Sequence, residues 1–481
     1  MENINKKFIL NIFIFSILFL GIILRIKGYV LNPSMWYDEC NLASSIINLN
    51  IQELFFKNLN FNQVAPPLFM VITKINTYVF GINDRTLRLL PEICGILSIF
   101  LFYFISKQYF KSNFSITLAI FAFCINSALI YYSTEFKQYS CDVFSVLLVI
   151  YLFNKINFET LSLKKSILTG FCISVISWFS FVSLIPIFCE ILIQFFIRKT
   201  NLKKLSLAIL PILLSTILYI SIFLYHTHDN AFMLSYWNEK FVKPDLSNFL
   251  TLFIQTFQYM FAPIKSTFLL ILSFIFGTIL FIKERNKIAL NLYLTILTTI
   301  ILSIFKIYPF GDRLILFLIP IYLLIIFKIF DTPKKITILC AIIFATIFYP
   351  QIKLNYHYLK VKNINKKEPA KEFAIYLSKN IKPNELIFVN SASVSDFEYY
   401  KLIYKIKNEC IYEKTENLTK GNRIKLMQEQ INSQTSNLWF YMPADIPHRS
   451  TSKEITEYLI KTKNVQEFYT VGTSNLVYVK N

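Results

Sequence analysis

Residues 8–40 read FILNIFIFSILFLGIILRIKGYVLNPSMWYDEC. Their first part is an apolar run long enough to cross a bilayer, which takes about 20 residues. Lys6 and Lys7 precede it, and no small-residue cleavage site follows. It therefore reads as an uncleaved first span rather than a removed signal. The stretch ends in Trp36-Tyr37-Asp38-Glu39-Cys40. Ionisable groups at a membrane boundary are costly to bury and need partners, so an acidic pair there is a functional candidate.

The rest of the chain repeats the pattern. Of its 481 residues 55% are hydrophobic and only 16% charged, which excludes an ordinary soluble globule. Apolar runs recur at 8–28, 88–106, 114–133, 140–154, 166–182, 183–197, 205–225, 266–282, 288–305, 314–330 and 336–350. The expected fold is an α-helical polytopic membrane protein of about 11 spans. The net charge of +20 would point to nucleic acid in a soluble protein. Here 17 Lys and Arg fall in alternate short loops, against Glu2, Glu159, Glu284 and Asp331. Such bias sets orientation. It predicts a cytoplasmic N-terminus, the acids of WYDEC on the outer face, and no nucleic-acid partner.

Within the transmembrane part, 1–350, residues 29–87 form a long first outer loop. Its segment 66–80, PPLFMVITKINTYVF, is short and interrupted by Lys74. If it crossed, the basic loops would change sides, so it is expected in the membrane plane. Residues 41–57 have an amphipathic pattern as well. From 351 the long apolar runs stop. Helices near 369–380 and 396–404, a strand at 385–390, and strand, helix and strand patterns in SNLWFYMP, SKEITEYLIKTK and NLVYVK predict a small α/β domain over 351–481. An odd number of spans makes that domain extracytoplasmic.

Charged residues cluster at the outer ends of the spans. Residues 131–142, YYSTEFKQYSCD, bring Glu135, Lys137 and Asp142 to a corner beside Asp38 and Glu39. Residues 308–320, YPFGDRLILFLIP, place Arg313 at the lipid boundary. Its planar donor fork suits a phosphate. Arg85 and Arg88, in NDRTLRLLPE, are further outer cations that could hold a phosphate. The eight cysteines show no metal-like spacing. Cys40 and Cys141 each adjoin an outer acid, and whether they pair is left open. His226 and His228, in YHTHDN, form a bare HxH, more simply read as a solvated loop than as a metal site.

WYDE after the first span, PPL at 66–68, DRTLRLLPEICGILSI at 84–99, YYSTEFKQYSCD and YPFGDRLILFLIP together resemble the GT-C class of polyprenyl-phosphate-dependent glycosyltransferases. The nearer likeness is to the bacterial branch related to protein O-mannosyltransferases and lipid A aminoarabinose transferases. The chain departs from many relatives in carrying Gln63-Val64-Ala65 before PPL, with no first-loop histidine.

The resemblance implies a multi-pass cell-membrane enzyme that moves a hexosyl or pentosyl group from a polyprenyl-phosphate donor to a hydroxyl of a lipid, glycan or protein acceptor. It implies Asp38 as catalytic base with Glu39 beside it, Arg313 on the donor phosphate, and Glu135 and Asp142 as second-loop site acids. A divalent cation, Mg or Mn, would fall to Asp38 and Glu135. Lys137, Arg85 and Arg88 are additional phosphate candidates. The rival reading is a transporter or flippase for a lipid-linked or anionic solute. Transporters place ionisable groups near the midplane, often in repeats with broken helices. Here the charges gather at one boundary.

Overall fold

The computed structural model describes all residues except 1, 199, 225–230, 287, 333, 363–367, 415–419, 444–451, 472–473 and 481. His226 and His228 lie outside the described residues.

The opening apolar run forms one continuous helix, α1 (Glu2–Leu31). At 1.5 Å per residue it is about 45 Å long, more than the ~30 Å hydrocarbon core needs. Pro33 follows its end, and the chain restarts as α2 (Tyr37–Asn48), with Asp38 and Glu39 in the first turn. Acids there favour the positive end of the helix dipole. A short α3 (Ile51–Phe56) follows. Then Pro67 occupies the first position of α4 (Pro67–Phe80), where its missing N–H costs nothing. The Lys74 ammonium that interrupts α4 is buried and donates to the Ile46 carbonyl near the end of α2. That charge binds the two loop helices together.

Helix α5 (Asp84–Tyr109) is capped by Asn83, whose side chain accepts from the Thr86 N–H at 3.0 Å. The run at 114–133 is divided into α6 (Asn113–Ile125) and α7 (Ser127–Ser133), bent by 51°. Asn126 sits at the bend. Its Oδ1 caps Leu129 at 3.0 Å and its amide donates to the Met260 carbonyl at 2.8 Å. The bend aims residues 134–138 at α2. Next come α8 (Tyr139–Lys155), α9 (Leu163–Phe179), α10 (Leu184–Leu192) and α11 (Leu202–Tyr219). A Cβ on Gly170 would lie 2.2 Å from the Ala208 carbonyl, so only glycine lets α9 and α11 approach this closely.

After α12 (Ala231–Tyr236) comes α13 (Leu246–Met260). Hydropathy passes over α13 because Thr251, Gln255, Thr256 and Gln258 break its apolar run. Then follow α14 (Thr267–Lys283), α15 (Leu290–Ile304), α16 (Ile319–Ile326) and α17 (Lys334–Lys360). All eleven expected spans correspond to helices or helix pairs. By length and composition alone, four described helices are sufficient to cross unaided: Phe8–Leu31, Asp84–Tyr109, Leu202–Ile222 and Asp312–Asp331. The composition change at 351 falls inside α17, which runs on to Lys360.

The C-terminal part holds α18 (Ala370–Asn380), β1 (Leu386–Val389), α19 (Val394–Ile403), β2 (Cys410–Tyr412), α20 (Lys420–Asn432), β3 (Leu438–Met442), α21 (Ser452–Thr462), β4 (Val465–Val471) and β5 (Ser474–Val479). The sheet order is β2-β1-β3-β5-β4. β1 is parallel to β2 and β3, while β5 runs antiparallel to β3 and β4. The small α/β domain is as expected. β2, α20 and β4 are additions to the expected elements, because they are short or carry polar residues at many positions. One apolar core joins α2, α4 and α5 to α18, α19, β1 and β3 through Leu42, Phe69, Leu87, Phe373, Phe397 and Tyr441. The domain is thus packed onto the loop that carries the acidic pair.

Cys40 and Cys141 do not pair, and both are free thiols. Cys40 lies against the buried Asp396 of α19, and Cys141 beside Cys94 of α5. Burial, and then the neighbouring Glu368 carboxylate, push the Asp396 carboxyl well above its usual range. An acid raised in the folded state favours folding below its unfolded pKa of ~3.9 and loses that stability as pH rises toward the folded value. Asp396→Asn is therefore expected to flatten the fall in Tm between pH 5 and 8 and to raise Tm at pH 8. Thermal unfolding across that range checks it. An unchanged slope would assign the pH dependence to other groups.

Candidate active site

Asp38 and Glu39 are adjacent in sequence but about 100° apart around α2, so they serve different partners. Asp38 Oδ2 accepts from Arg313 Nη2 at 2.6 Å. Both side chains are 17% exposed, so the pair is open to a ligand. Three aromatic rings surround the Arg313 guanidinium: Trp36 at 5.4 Å, Trp237 at 5.7 Å and Tyr139 at 5.9 Å. Such rings attract a cation through their π faces.

Arg313 is presented by a sharp turn. Asp312 adopts φ 50°, a region uncommon for residues other than glycine but tolerated by aspartate. Tyr308 Oη donates to the Leu314 carbonyl at 2.7 Å, and Phe310 N–H to the Lys240 carbonyl at 2.8 Å. Lys240 Nζ donates to Asp312 Oδ1 at 3.1 Å. A Cβ on Gly311 would meet the Lys240 side chain at 2.9 Å, so glycine allows that lysine to lie across the turn. Trp237 and Lys240 are not evident from the sequence. They sit in a polar linker between apolar runs and carry no motif.

Glu39 is fully buried and pairs with Arg88 through two parallel bonds, Nε–Oε1 and Nη2–Oε2, each 2.8 Å. Glu39 Oε1 also accepts from the Phe136 N–H at 2.8 Å. Arg88 Nη1 donates to the Pro33 carbonyl at 2.7 Å. This pair locks α2, α5 and the 134–138 loop together. Arg85 is exposed and donates to the Val30 carbonyl at 3.0 Å, at the end of α1. The sequence does not distinguish Arg85 from Arg88. The structure gives them different neighbours, neither of which is Arg313.

The second cluster adjoins Asp38 and Arg313. Lys137 Nζ donates to Gln63 Oε1 at 2.5 Å and is buried. Burial lowers its pKa, opposed first by the Asp38 carboxylate. Glu135 is buried, and its charge is felt by Tyr131, Tyr132, Lys137 and Arg313. Asp142, in the first turn of α8, is buried and accepts from Ser180 Oγ at 2.6 Å. Asp38, Arg313, Lys137 and Glu135 thus form one electrostatic cluster, and Asp142 is felt by Tyr139 at its edge. Among the described residues no three His, Cys, Asp or Glu side chains converge to hold a metal ion. Asp38 and Glu135, the residues that would hold the expected divalent cation, stand in one charged neighbourhood, where Asp38 is engaged by Arg313.

A cavity of about 710 Å³ opens between α3, α4, α9 and α11. Its lining includes Phe55, Leu68, Phe171, Trp178 and Leu214 and is almost wholly apolar. Trp178, in its lining, lies two residues before Ser180, the donor to Asp142.

The fold and site define a polytopic helical membrane protein whose charged cluster sits where an α/β domain meets the spans. No family model matches the chain, and no curated protein is significantly similar in sequence. Solved structures are similar in fold. The crystal structure of ArnT from Cupriavidus metallidurans in the apo state is 10% identical, with a TM-score of 0.58 over 100% of this chain and 98% of that one. The same protein bound to undecaprenyl phosphate is 11% identical, with a TM-score of 0.58 over 99% and 98%. The fold is thus GT-C-like along the whole chain.

Proposed function

We propose that the chain is an integral-membrane glycosyltransferase that moves a sugar from a polyprenyl-phosphate donor to an acceptor hydroxyl, with inversion at the anomeric carbon. The observation that carries this reading is the Asp38–Arg313 contact at 2.6 Å, partly open to solvent and ringed by aromatics. A base and a phosphate-binding cation meet there from residues 275 positions apart. The fold shared with ArnT, solved with undecaprenyl phosphate, supports the donor class. The apolar cavity offers room for part of a prenyl chain.

In this mechanism the donor phosphate takes the guanidinium fork of Arg313 and displaces the Asp38 carboxylate. Freed, Asp38 accepts the proton of the acceptor hydroxyl. The hydroxyl oxygen bonds to the anomeric carbon from the face opposite the phosphate. The carbon–oxygen bond to phosphate breaks, and its electron pair leaves on polyprenyl phosphate, whose charge Arg313 stabilises. Lys137 adds positive charge nearby, and Trp36 and Trp237 offer flat faces for the sugar. Glu39 and Arg88 act as positioning residues for α2 and touch neither substrate. No step is routed through a metal ion. The reaction takes place on the side of the membrane bearing the C-terminal domain, which the loop charges assign to the exterior.

The test uses purified protein in liposomes containing radiolabelled polyprenyl-phosphate sugar, with cell-envelope glycolipid as acceptor. Label passing to the acceptor or to water supports transfer. Intact donor moving between leaflets would instead establish the flippase.

A further inference from the structure

The residues joining α1 to α2, Asn32 to Trp36, form no regular structure, yet they lead directly into Asp38. The backbone of this segment is held from two sides. From the membrane side, Arg88 donates to the carbonyls of Pro33 at 2.7 Å and Ser34 at 3.4 Å. From the other side, the holding groups belong to the C-terminal domain or its leading edge. Lys371 Nζ donates to the Asn32 carbonyl at 3.0 Å, and Lys371 N–H to Ser34 Oγ at 3.2 Å. Met35 N–H donates to Tyr400 Oη at 2.8 Å, and Tyr37 N–H, opening α2, donates to Glu368 Oε2 at 2.6 Å.

The domain is itself registered on α5. Asp84, buried at the start of that helix, accepts from Tyr399 Oη at 2.9 Å, Tyr400 Oη at 3.3 Å and Lys371 Nζ at 3.0 Å. Asp84 and Arg88 stand four residues apart, on one face of α5. One helix face therefore anchors both the domain and the acid-bearing segment. The Tyr400 hydroxyl links them, accepting from Met35 and donating to Asp84.

We propose that the C-terminal domain positions the catalytic loop, with Tyr400 and Asp84 as positioning residues that set where Asp38 stands relative to Arg313. This rests on the transferase reading and assigns the domain a role in the chemical step. A base displaced by about 1 Å loses on the order of 10²-fold in rate while the donor contacts survive.

The test compares wild type with Tyr400→Phe and Lys371→Met, each as full-length protein in nanodiscs. Hydrogen–deuterium exchange of the peptide covering 32–40 is read beside transfer kinetics. For Tyr400→Phe we expect faster exchange in 32–40, unchanged exchange in β1 and β3, and a kcat lower by about 10- to 100-fold, with donor KM changed by less than about threefold. Lys371→Met, at a more exposed position, gives a smaller effect of the same kind and serves if the tyrosine variant does not fold. Unchanged exchange in 32–40, or faster exchange with undiminished kcat, overturns the proposal. A loss carried by KM instead of kcat also overturns it, placing the domain in substrate binding. If wild type itself transfers no sugar, the transferase reading falls, and exchange alone decides whether the domain holds the loop.

Discussion

Replacing Asp38 by Asn is expected to abolish the proposed sugar transfer and to tighten the hold on polyprenyl phosphate. The first effect follows from removing the proton acceptor. A positioned general base contributes roughly 10²–10⁴ in rate, and turnover falls by that factor. The second follows from the resting geometry. Asp38 occupies Arg313 at 2.6 Å, so its carboxylate competes with the donor phosphate for one guanidinium. Asparagine keeps the shape and removes the competing charge. With both side chains partly exposed, solvent screens the pair, and the gain in affinity is about 3- to 10-fold. Folding is unaffected, because Arg313 retains its aromatic surround. Binding of undecaprenyl phosphate measured beside turnover checks both effects. Weaker binding by the asparagine variant would show that Asp38 does not guard the phosphate seat, and turnover near wild type would remove it as the base.

Glu39→Gln has the opposite profile: the loss falls on stability. Glu39 and Arg88 are both buried and joined twice at 2.8 Å. Neutralising Glu39 leaves the Arg88 charge in a water-excluded site with neutral partners at Asn32, Pro33 and Ser34. Breaking a buried pair from one side costs roughly 3–5 kcal/mol. Replacing both partners by apolar residues of similar size, Glu39→Leu with Arg88→Met, removes the orphaned charge and recovers much of the loss. Thermal unfolding in detergent of the single and double variants measures this. A single variant as stable as wild type would mean that water or another acid reaches Arg88. The neighbouring acids are thus expected to separate: Asp38→Asn in rate, Glu39→Gln in stability.

Much of this fold is legible in one dimension. Apolar runs of spanning length and the bias of lysine and arginine among loops are signals of short segments, because a bilayer imposes one length and one charge rule on every crossing. Hence each expected span corresponds to a helix. α13 escapes because Thr251, Gln255 and Gln258 lie on its exposed side and lower the window average. In the α/β domain, β4 escapes because Gln466, Glu467 and Thr470 put polar residues on both its faces, and β2 because three residues are too few to show a period.

The site is legible in its ingredients and not in its pairings. WYDEC and YPFGDR announce an acid and a cation at one boundary. Nothing in the order of residues says that Asp38 faces Arg313 while Glu39 faces Arg88, since neighbours on a helix diverge by about 100°. Spacing holds one clue: Asp84 and Arg88 share a helix face, which ties NDRTLR to two partners rather than one phosphate. Tyr400, Trp237 and Lys240 carry no local signal at all.

The amino-acid order alone therefore determined a stack of membrane helices, a terminal α/β domain and the boundary at which charge collects, because hydrophobic length, loop charge and period are properties of short segments. Which carboxylate meets which guanidinium, and that a distant tyrosine hydroxyl accepts from the segment leading into Asp38, was decided only when helices hundreds of residues apart packed together. Pairing depends on rotation about each helix axis and on burial, and both are set by the whole assembly.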